Sequence, residues 1–418
     1  MQTEYDVIVV GGGAAGLMAA GTAAFAGNRT LLLEKMEKPA RKVRITGKGR
    51  CNLTNIKPEA EFLDKLQVNR DFFIPAYRAF NNRNLVNFFE RRGLKLETER
   101  GGRVFPASGR AWDVAETLVN WCTECGVETV CHATVEEVLL LGNRVRGVVW
   151  RGKKGYRRRV DAPVVIITTG GASYPATGST GDGYAFAHST GHTIIPVRPS
   201  LVPLETSLFD KEALNGLALR NIQAELVVNG EVVASEFGEV SFTSRGIEGA
   251  AILRFSRTAV DALIDEHPVS INLDLKPALE PEVIRERINR ELAQLTPDNS
   301  TDDLLRKLLP AGLARYMAHA VGSHPKRALG NLNDSQISQL INLLKKFTVP
   351  ISDYRPFEES IVTAGGVSVS DINPETMESR LVSGLYFAGE VLDLDANTGG
   401  YNLQIAFSTG RLAGQLRH

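Results

Sequence analysis

Val7, Ile8, Val9 and Val10 run straight into three consecutive glycines, and the spacing Gly11-x-Gly13-x-x-Gly16 follows at once. That order leaves little freedom of fold: a buried strand, a glycine turn and a helix of small residues. Gly11 permits the tight turn, Gly13 lets a pyrophosphate reach the backbone, and Gly16 lets the helix pack close on the strand. The helix is expected over residues 14–25, with Ala14 and Ala15 in its first turn. Its free amides and positive dipole end point at the phosphates. Residues 30–34 read as a second buried strand ending in Glu34, where a carboxylate accepts ribose hydroxyls and disfavours a 2′-phosphate.

Residues 7–27 carry no charge over a length that can cross a bilayer. No basic segment precedes them, glycines recur through them, and strand, turn and helix account for their apolarity. The expectation is a cytoplasmic protein with no membrane partner. Four cysteines in 418 residues make no disulfide framework, in keeping with a reducing compartment. Lys and Arg total 48, as do Asp and Glu, so no net field draws a polyanion, although local clusters can. A chain this long is expected to divide into two or three domains.

A second strand and glycine turn lie near the C-terminus. Leu385, Tyr386, Phe387 and Ala388 close on Gly389 and Glu390, and Gly399 and Gly400 then precede Tyr401, Asn402, Leu403, Gln404 and an apolar stretch to Leu412. A nicotinamide enzyme has no need of this. FAD is longer, and its flavin end is served by a second helix N-terminus that stabilises negative charge on the N1 and C2 carbonyl side of the reduced ring. A third element, residues 164–172, is a strand ending in Thr168, Thr169, Gly170, Gly171 and Ala172.

These segments, residues 41–55, residues 174–183 and the run Thr363-Ala364-Gly365-Gly366-Val367 together resemble the HI-type flavoproteins called the YhiN/BaiN-like family. Its members are also labelled NAD(P)/FAD-dependent oxidoreductases or aminoacetone oxidase-like proteins, and the resemblance covers essentially the whole chain. It implies an α/β fold: a discontinuous Rossmann-like FAD-binding domain of the two-dinucleotide-binding type, with an inserted β-rich domain and a small helical domain. The expected divisions are 1–195 for the first part of the FAD domain, 196–276 for the β-rich insert and 277–348 for the helical domain. Residues 349–418 return through the edge of the insert to complete the FAD domain. Within the insert, residues 223–234 and 269–275 look strand-like, and 280–347 show helical spacing, as in Leu304, Leu305, Leu308 and Leu309.

The cofactor set expected with this resemblance is Gly11, Gly13, Ala14, Ala15, Gly16, Glu34, Lys35, Lys42, Gly49, Arg50, Cys51, Asn52, Thr169, Gly170, Gly171, Gly389, Glu390, Gly400, Tyr401, Asn402, Leu403 and Gln404. Many family members carry three glycines before the Arg-Cys-Asn at 50–52; here Lys48 stands between Gly47 and Gly49, an extra cation beside the expected flavin.

Residues 41–50 hold Arg41, Lys42, Arg44, Lys48 and Arg50. Such a density of cations suits an anionic substrate or the pyrophosphate of FAD itself. Cys51 among those cations is expected to be partly thiolate and able to donate a proton opposite a flavin hydride, or else to serve as a small buried residue. Tyr174 either faces the active site or packs as an ordinary tyrosine. The catalytic candidates are therefore Cys51, Lys48 and Tyr174. Cys122 and Cys125 form a C-x-x-C with Cys131 and His132 behind it, but they sit one turn apart on an amphipathic helix without a closed tetrahedral set, so no metal is expected. His188 and His192 read as polar residues at a helix end, and residues 151–159 as a solvated basic hairpin.

The leading functional expectation is hydride transfer from reduced flavin to a C=C or C=N bond. NAD(P)H is the expected transient reductant, although no second complete glycine fingerprint exists for it. The family has been connected with reduction of steroid-like enones and of a uracil in ribosomal RNA, and with oxidation of small amines. Two alternatives stay open: a flavin amine oxidase releasing hydrogen peroxide, and a non-catalytic FAD protein associated with RNA. The expected substrate is a small molecule or RNA.

Overall fold

A computed structural model describes residues 4–208, 214–296, 299–321 and 333–417. The chain forms two compact units, Met1–Ser200 with Phe357–His418, and Leu201–Pro356.

The first unit is built on a five-stranded parallel sheet. Its order is Leu385–Phe387, Val164–Ile167, Val7–Val10 (β1), Thr30–Glu34 (β2), Glu128–Cys131. β1 and β2 are buried throughout, as continuous aliphatic runs must be in a covered parallel sheet; helix Ala14–Phe25 packs on β1 and β2, and strand Arg144–Arg151 packs on Val164–Ile167. Helix Ala14–Phe25 (α1) leaves β1, and the closing helix Tyr401–Gly414 packs on α1. Because every strand runs the same way, the ends of β1, β2, Val164–Ile167 and Leu385–Phe387 share one edge, the place where open α/β sheets bind ligands. The strands Ile194–Ser200 and Val362–Val367 pair antiparallel within this unit. That pairing carries the first unit through Ser200, past the division expected at 195.

The second unit is a closed antiparallel barrel whose strands run in the order Leu204–Thr206, Gly246–Glu248, Glu231–Phe242, Ala218–Val228, Val269–Asp274, Phe347–Tyr354. The strand-like stretch expected at 223–234 is a hairpin turned at Asn229 and Gly230, both in the left-handed region, as a tight two-residue hairpin requires. Helices Ala250–Ile264, Pro281–Ala293, Thr301–Leu308, Ala311–Ala320 and Asp334–Lys345 complete the unit. One hydrophobic core joins Leu226, Phe242 and Ile271 of the barrel to Ile288, Leu304 and Leu340 of the helices. The division expected at 276 therefore falls inside one body. The barrel closes only when Phe347–Tyr354 returns after the helices to pair with Val269–Asp274 and Leu204–Thr206. No described helix is long and apolar enough to cross a membrane.

Candidate active site

The turn after β1 alternates tight and open positions. A Cβ on Gly16 would lie 1.9 Å from the Gly11 oxygen and 2.6 Å from Thr168 Oγ1, so α1 approaches only because no side chain is there. Around Gly13 no heavy atom comes within 4 Å of such a Cβ, leaving the space a pyrophosphate needs. Thr168 Oγ1 donates to Val10 O and Gly11 O, each at 2.9 Å, and so binds the end of Val164–Ile167 to the turn. Glu34 ends β2 and accepts Gly12 N at 2.7 Å and Met36 N at 2.8 Å. Burial raises its carboxyl above the usual glutamate value, against those two backbone bonds. Each oxygen keeps a lone pair for a hydroxyl.

Both helices that face this edge begin without a side-chain cap. α1 starts at Gly13 and the closing helix at Gly400, and neither has an acid in its first turn. Helices Ala250–Ile264 and Ala311–Ala320 also begin this way, so what marks α1 and the closing helix is their place at the strand ends. Uncapped amides and an uncompensated dipole make an anion-accepting end.

Between these termini the strand ends are tied by a polar network. Lys42 Nζ donates to Glu390 Oε2 at 2.8 Å, Thr363 N donates to Glu390 Oε1 at 2.9 Å, and Thr363 Oγ1 accepts Ala172 N at 2.9 Å and Ser173 N at 3.1 Å. Gly171 fits against Thr363, and Gly389 against Ala15. Lys35 is spent elsewhere: its Nζ donates to Asp182 Oδ2 at 2.6 Å.

Residues 41–50 begin with the short helix Arg41–Ile45 (α2). Most of their charge is committed. Arg41 pairs with Glu37, Arg44 with Glu116 and Arg50 with Glu99, while Arg44 also stacks over Trp112 at 3.9 Å and Arg50 over Phe105 at 4.4 Å. Lys48 is exposed and makes no ion pair among the described residues. Ala40, Lys48, Cys51 and Tyr174 all hold positive φ, between 52° and 60°. Such conformations cost of order 1 kcal/mol each and gather where function needs a particular backbone.

The three catalytic candidates fare differently. Cys51 is fully buried in the hydrophobic core and makes no contact with solvent. Burial pushes its thiol up to about 12, against a hydrogen bond with Thr46, which corrects the expectation of a partly ionised thiol: desolvation sets its protonation, and no neighbouring cation lowers it. Tyr174 is half-buried and begins the turn Pro175–Thr177, its amide donating to Phe357 O at 3.0 Å. Lys48 and Gly49 are exposed, and Gly49 O accepts Ala111 N at 2.7 Å.

At the closing helix the backbone and side chains part company. Asn402 closes the preceding loop, its Nδ2 donating to Ala396 O at 2.7 Å and its Oδ1 accepting Ala396 N at 2.9 Å. Tyr401 is buried edge-on against Phe62 at 4.9 Å. Gln404, expected at the cofactor, is fully buried with both amide ends used: Oε1 accepts Thr54 Oγ1 at 2.7 Å and Nε2 donates to Phe80 O at 2.9 Å. Its role is corrected to bracing the core. Leu403 is half-buried against the same core, so this segment offers a ligand its free amides.

The residues fit an extended dinucleotide on an independent observation. Asn52 Oδ1, Thr169 Oγ1 and Tyr184 Oη are buried without a hydrogen-bond partner among the described residues, and orphaned polar atoms of this kind mark an incomplete site. Burial and the charges of Glu390 and Asp393 raise the Tyr184 phenol, so its proton is firmly held. Sequence reasoning passes over Tyr184 and the bridging role of Thr363. The available signals are position alone, one residue past Gly183 and at the head of the Thr363–Val367 run.

Outside this edge, Cys122 is buried with its Sγ donating to Leu17 O at 3.2 Å, and all four cysteines are free. Among the described residues no group of His, Cys, Asp or Glu is arranged to hold a metal. His192 is buried, with Nε2 2.7 Å from Ser379 Oγ and Nδ1 3.0 Å from Thr190 Oγ1.

The profile of the family described as HI0933-like protein Rossmann domain matches residues 5–416. A 3-dehydro-bile acid delta(4,6)-reductase of Clostridium scindens is 31% identical over 409 residues, covering 97% of this chain and 97% of its own. A ribosomal RNA dihydrouridine synthase of Escherichia coli is 31% identical over 410 residues, covering 97% of this chain and 96% of its own. Among solved structures, the 3-ketosteroid delta1-dehydrogenase of Sterolibacterium denitrificans superposes with a TM-score of 0.55 at 14% identity, covering 98% of both chains, a likeness of fold.

Proposed function

The chain belongs to the HI0933-like Rossmann-domain family of FAD-dependent oxidoreductases, and on that premise we propose that it reduces a carbon–carbon double bond conjugated to a carbonyl. When bound, FAD supplies the hydride carrier, and a nicotinamide dinucleotide that docks transiently is the source of the hydride. The observation that carries this reading is the end-to-end likeness to two enzymes whose names both describe saturation of such a bond, one in a 3-dehydro-bile acid and one in ribosomal RNA. Neither is named for amine oxidation.

The chain's own residues divide the work. The free amides of α1 hold the diphosphate and Glu34 accepts ribose hydroxyls. The uncapped amides at the start of the closing helix would serve the flavin end, and Asn52 and Thr169 would gain the partners they lack. Lys42 and Glu390 neutralise each other and hold the strand ends in place. Lys48, which makes no ion pair among the described residues, binds the carbonyl or anionic oxygen of the acceptor, while the half-buried Tyr174 hydroxyl gives the proton. The free cysteines suit the reducing cytoplasm, where we place the reaction.

Anaerobic stopped-flow mixing of the flavin-loaded protein with NADH and then NADPH tests the first half. Reoxidation by uridine-containing ribosomal RNA fragments, by a 3-oxo-Δ4 steroid and by oxygen tests the second. Faster reoxidation by one of the two organic acceptors than by buffer is expected; if neither exceeds buffer, the reductase reading fails.

A further inference from the structure

At the end of α1 away from Gly13, a cavity of about 390 Å³ opens among α1, helix Asn82–Glu90, helix Ala111–Glu124 and the closing helix. Aromatic rings and cations share its wall. Arg92 lies over the rings of Phe88 and Trp121, at 3.8 Å and 4.9 Å, and its Nη1 donates to Phe88 O at 2.9 Å. Arg411 sits 5.8 Å from the Phe80 ring and donates from Nη1 to Thr22 Oγ1 at 3.1 Å.

These arginines are under-compensated. Neither forms an ion pair among the described residues, and Glu124 acts on Arg92 only through space. Loss of water lowers both below the ordinary arginine value, and the charge of Arg92 lowers Arg411 further. Helix carbonyl ends nearby relieve part of this, as they do for any cation at a helix C-terminus. The relief is incomplete, because Arg92 Nε and Trp121 Nε1 are buried donors with no acceptor among the described residues. Two half-buried cations between aromatic faces, with spare donors, are a poor resting arrangement unless an anion joins them.

We propose that this cavity binds an organic anion with a flat apolar body, such as an aromatic carboxylate or aryl phosphate. Its ring lies among Phe80, Phe88 and Trp121, and its anionic head accepts from Arg92 and Arg411, whose planar guanidinium groups suit a carboxylate or phosphate. The volume lies within the roughly 300–1,000 Å³ of small-molecule sites. Nothing in this assignment depends on the redox reaction.

Calorimetric titration of the flavin-loaded protein with 2-naphthoate, and with the neutral 2-naphthalenemethanol, tests it. Naphthoate is expected to bind at least about tenfold more tightly than the alcohol, with the difference shrinking in high salt. Arg92→Gln and Arg411→Gln are each expected to weaken naphthoate about tenfold while flavin content and visible spectrum stay unchanged. Equal affinity for the two compounds, no saturation by naphthoate at millimolar concentration, or wild-type affinity in both variants would overturn the proposal. The comparison of acid with alcohol on the unaltered protein stands even if a variant does not fold.

Discussion

Gly410 lies against the backbone of Ala15: a Cβ on Gly410 would meet the Ala15 oxygen at 2.4 Å. The two come from opposite ends of the chain, one in the closing helix and one in α1. One turn further on, a Cβ on Gly414 would meet the Ala19 oxygen, also at 2.4 Å. Small residues four apart on both helices let the backbones touch. That contact sets the relative direction of the two uncapped N-termini.

Gly410→Ala is therefore expected to push the helices apart, costing about 1–3 kcal/mol from overpacking and weakening FAD binding as the two termini separate. Urea unfolding of the apoprotein and FAD titration read the two effects. Wild-type values in both would show that the backbones have room to spare.

Gly13 and Gly16 separate folding from binding. Gly13→Ala meets open space and replaces a tolerable helix cap by a poorer one, so stability stays within about 1 kcal/mol of wild type; FAD affinity falls at least about tenfold as the methyl enters the diphosphate's path. Gly16→Ala drives a methyl into the Gly11 carbonyl and costs about 3 kcal/mol before any ligand is added. A Gly13→Ala protein that binds FAD normally would remove Gly13 from the cofactor site.

Lys48 holds φ at +56°, so glycine suits its backbone while removing its charge. Lys48→Gly is expected to leave stability within about 1 kcal/mol, strain relief offsetting the added freedom of the unfolded chain. Losing a charge-assisted bond to the acceptor lowers kcat/KM roughly ten- to a hundredfold. Steady-state kinetics with flavin content held equal decides this, and an unchanged kcat/KM removes Lys48 from acceptor binding.

Cys51 is dry and its thiol stands at about 12. Cys51→Ala is expected to keep turnover within about threefold, since a proton donor must reach the reacting atoms. A loss of two orders of magnitude with normal flavin content would restore it to the catalytic set.

His192 carries a pH dependence of stability. Burial lowers it below 6.5, against a hydrogen bond that its Nδ1 makes to Ala187 O and the charge of Asp371. The native imidazole is neutral, and the unfolded chain takes up its proton at a higher pH than the native protein does. Its contribution is therefore complete above 6.5 and is lost as pH falls from there through the lower folded value. Thermal unfolding between pH 7 and 5 should show a shallower decline in His192→Asn than in wild type, with the parallel decline of both as the contrary result.

Local chemistry alone settled both ends of the nucleotide fold. A strand, a glycine turn, a small-residue helix and a second strand are requirements met within about thirty residues, so Gly11, Gly13, Gly16 and Glu34 were legible without neighbours, and so was the turn before Tyr401. Contacts between distant segments decided the rest. Cys51 is protonated because the core closes over it, Gln404 braces Thr54 and Phe80, and Lys42 finds Glu390 across almost the whole chain while Lys48 finds no acid among the described residues. Burial and pairing depend on which remote strand or helix arrives at a position. Spacing along the chain carries no record of that arrival, and so charge state and side-chain commitment became visible only in the folded molecule.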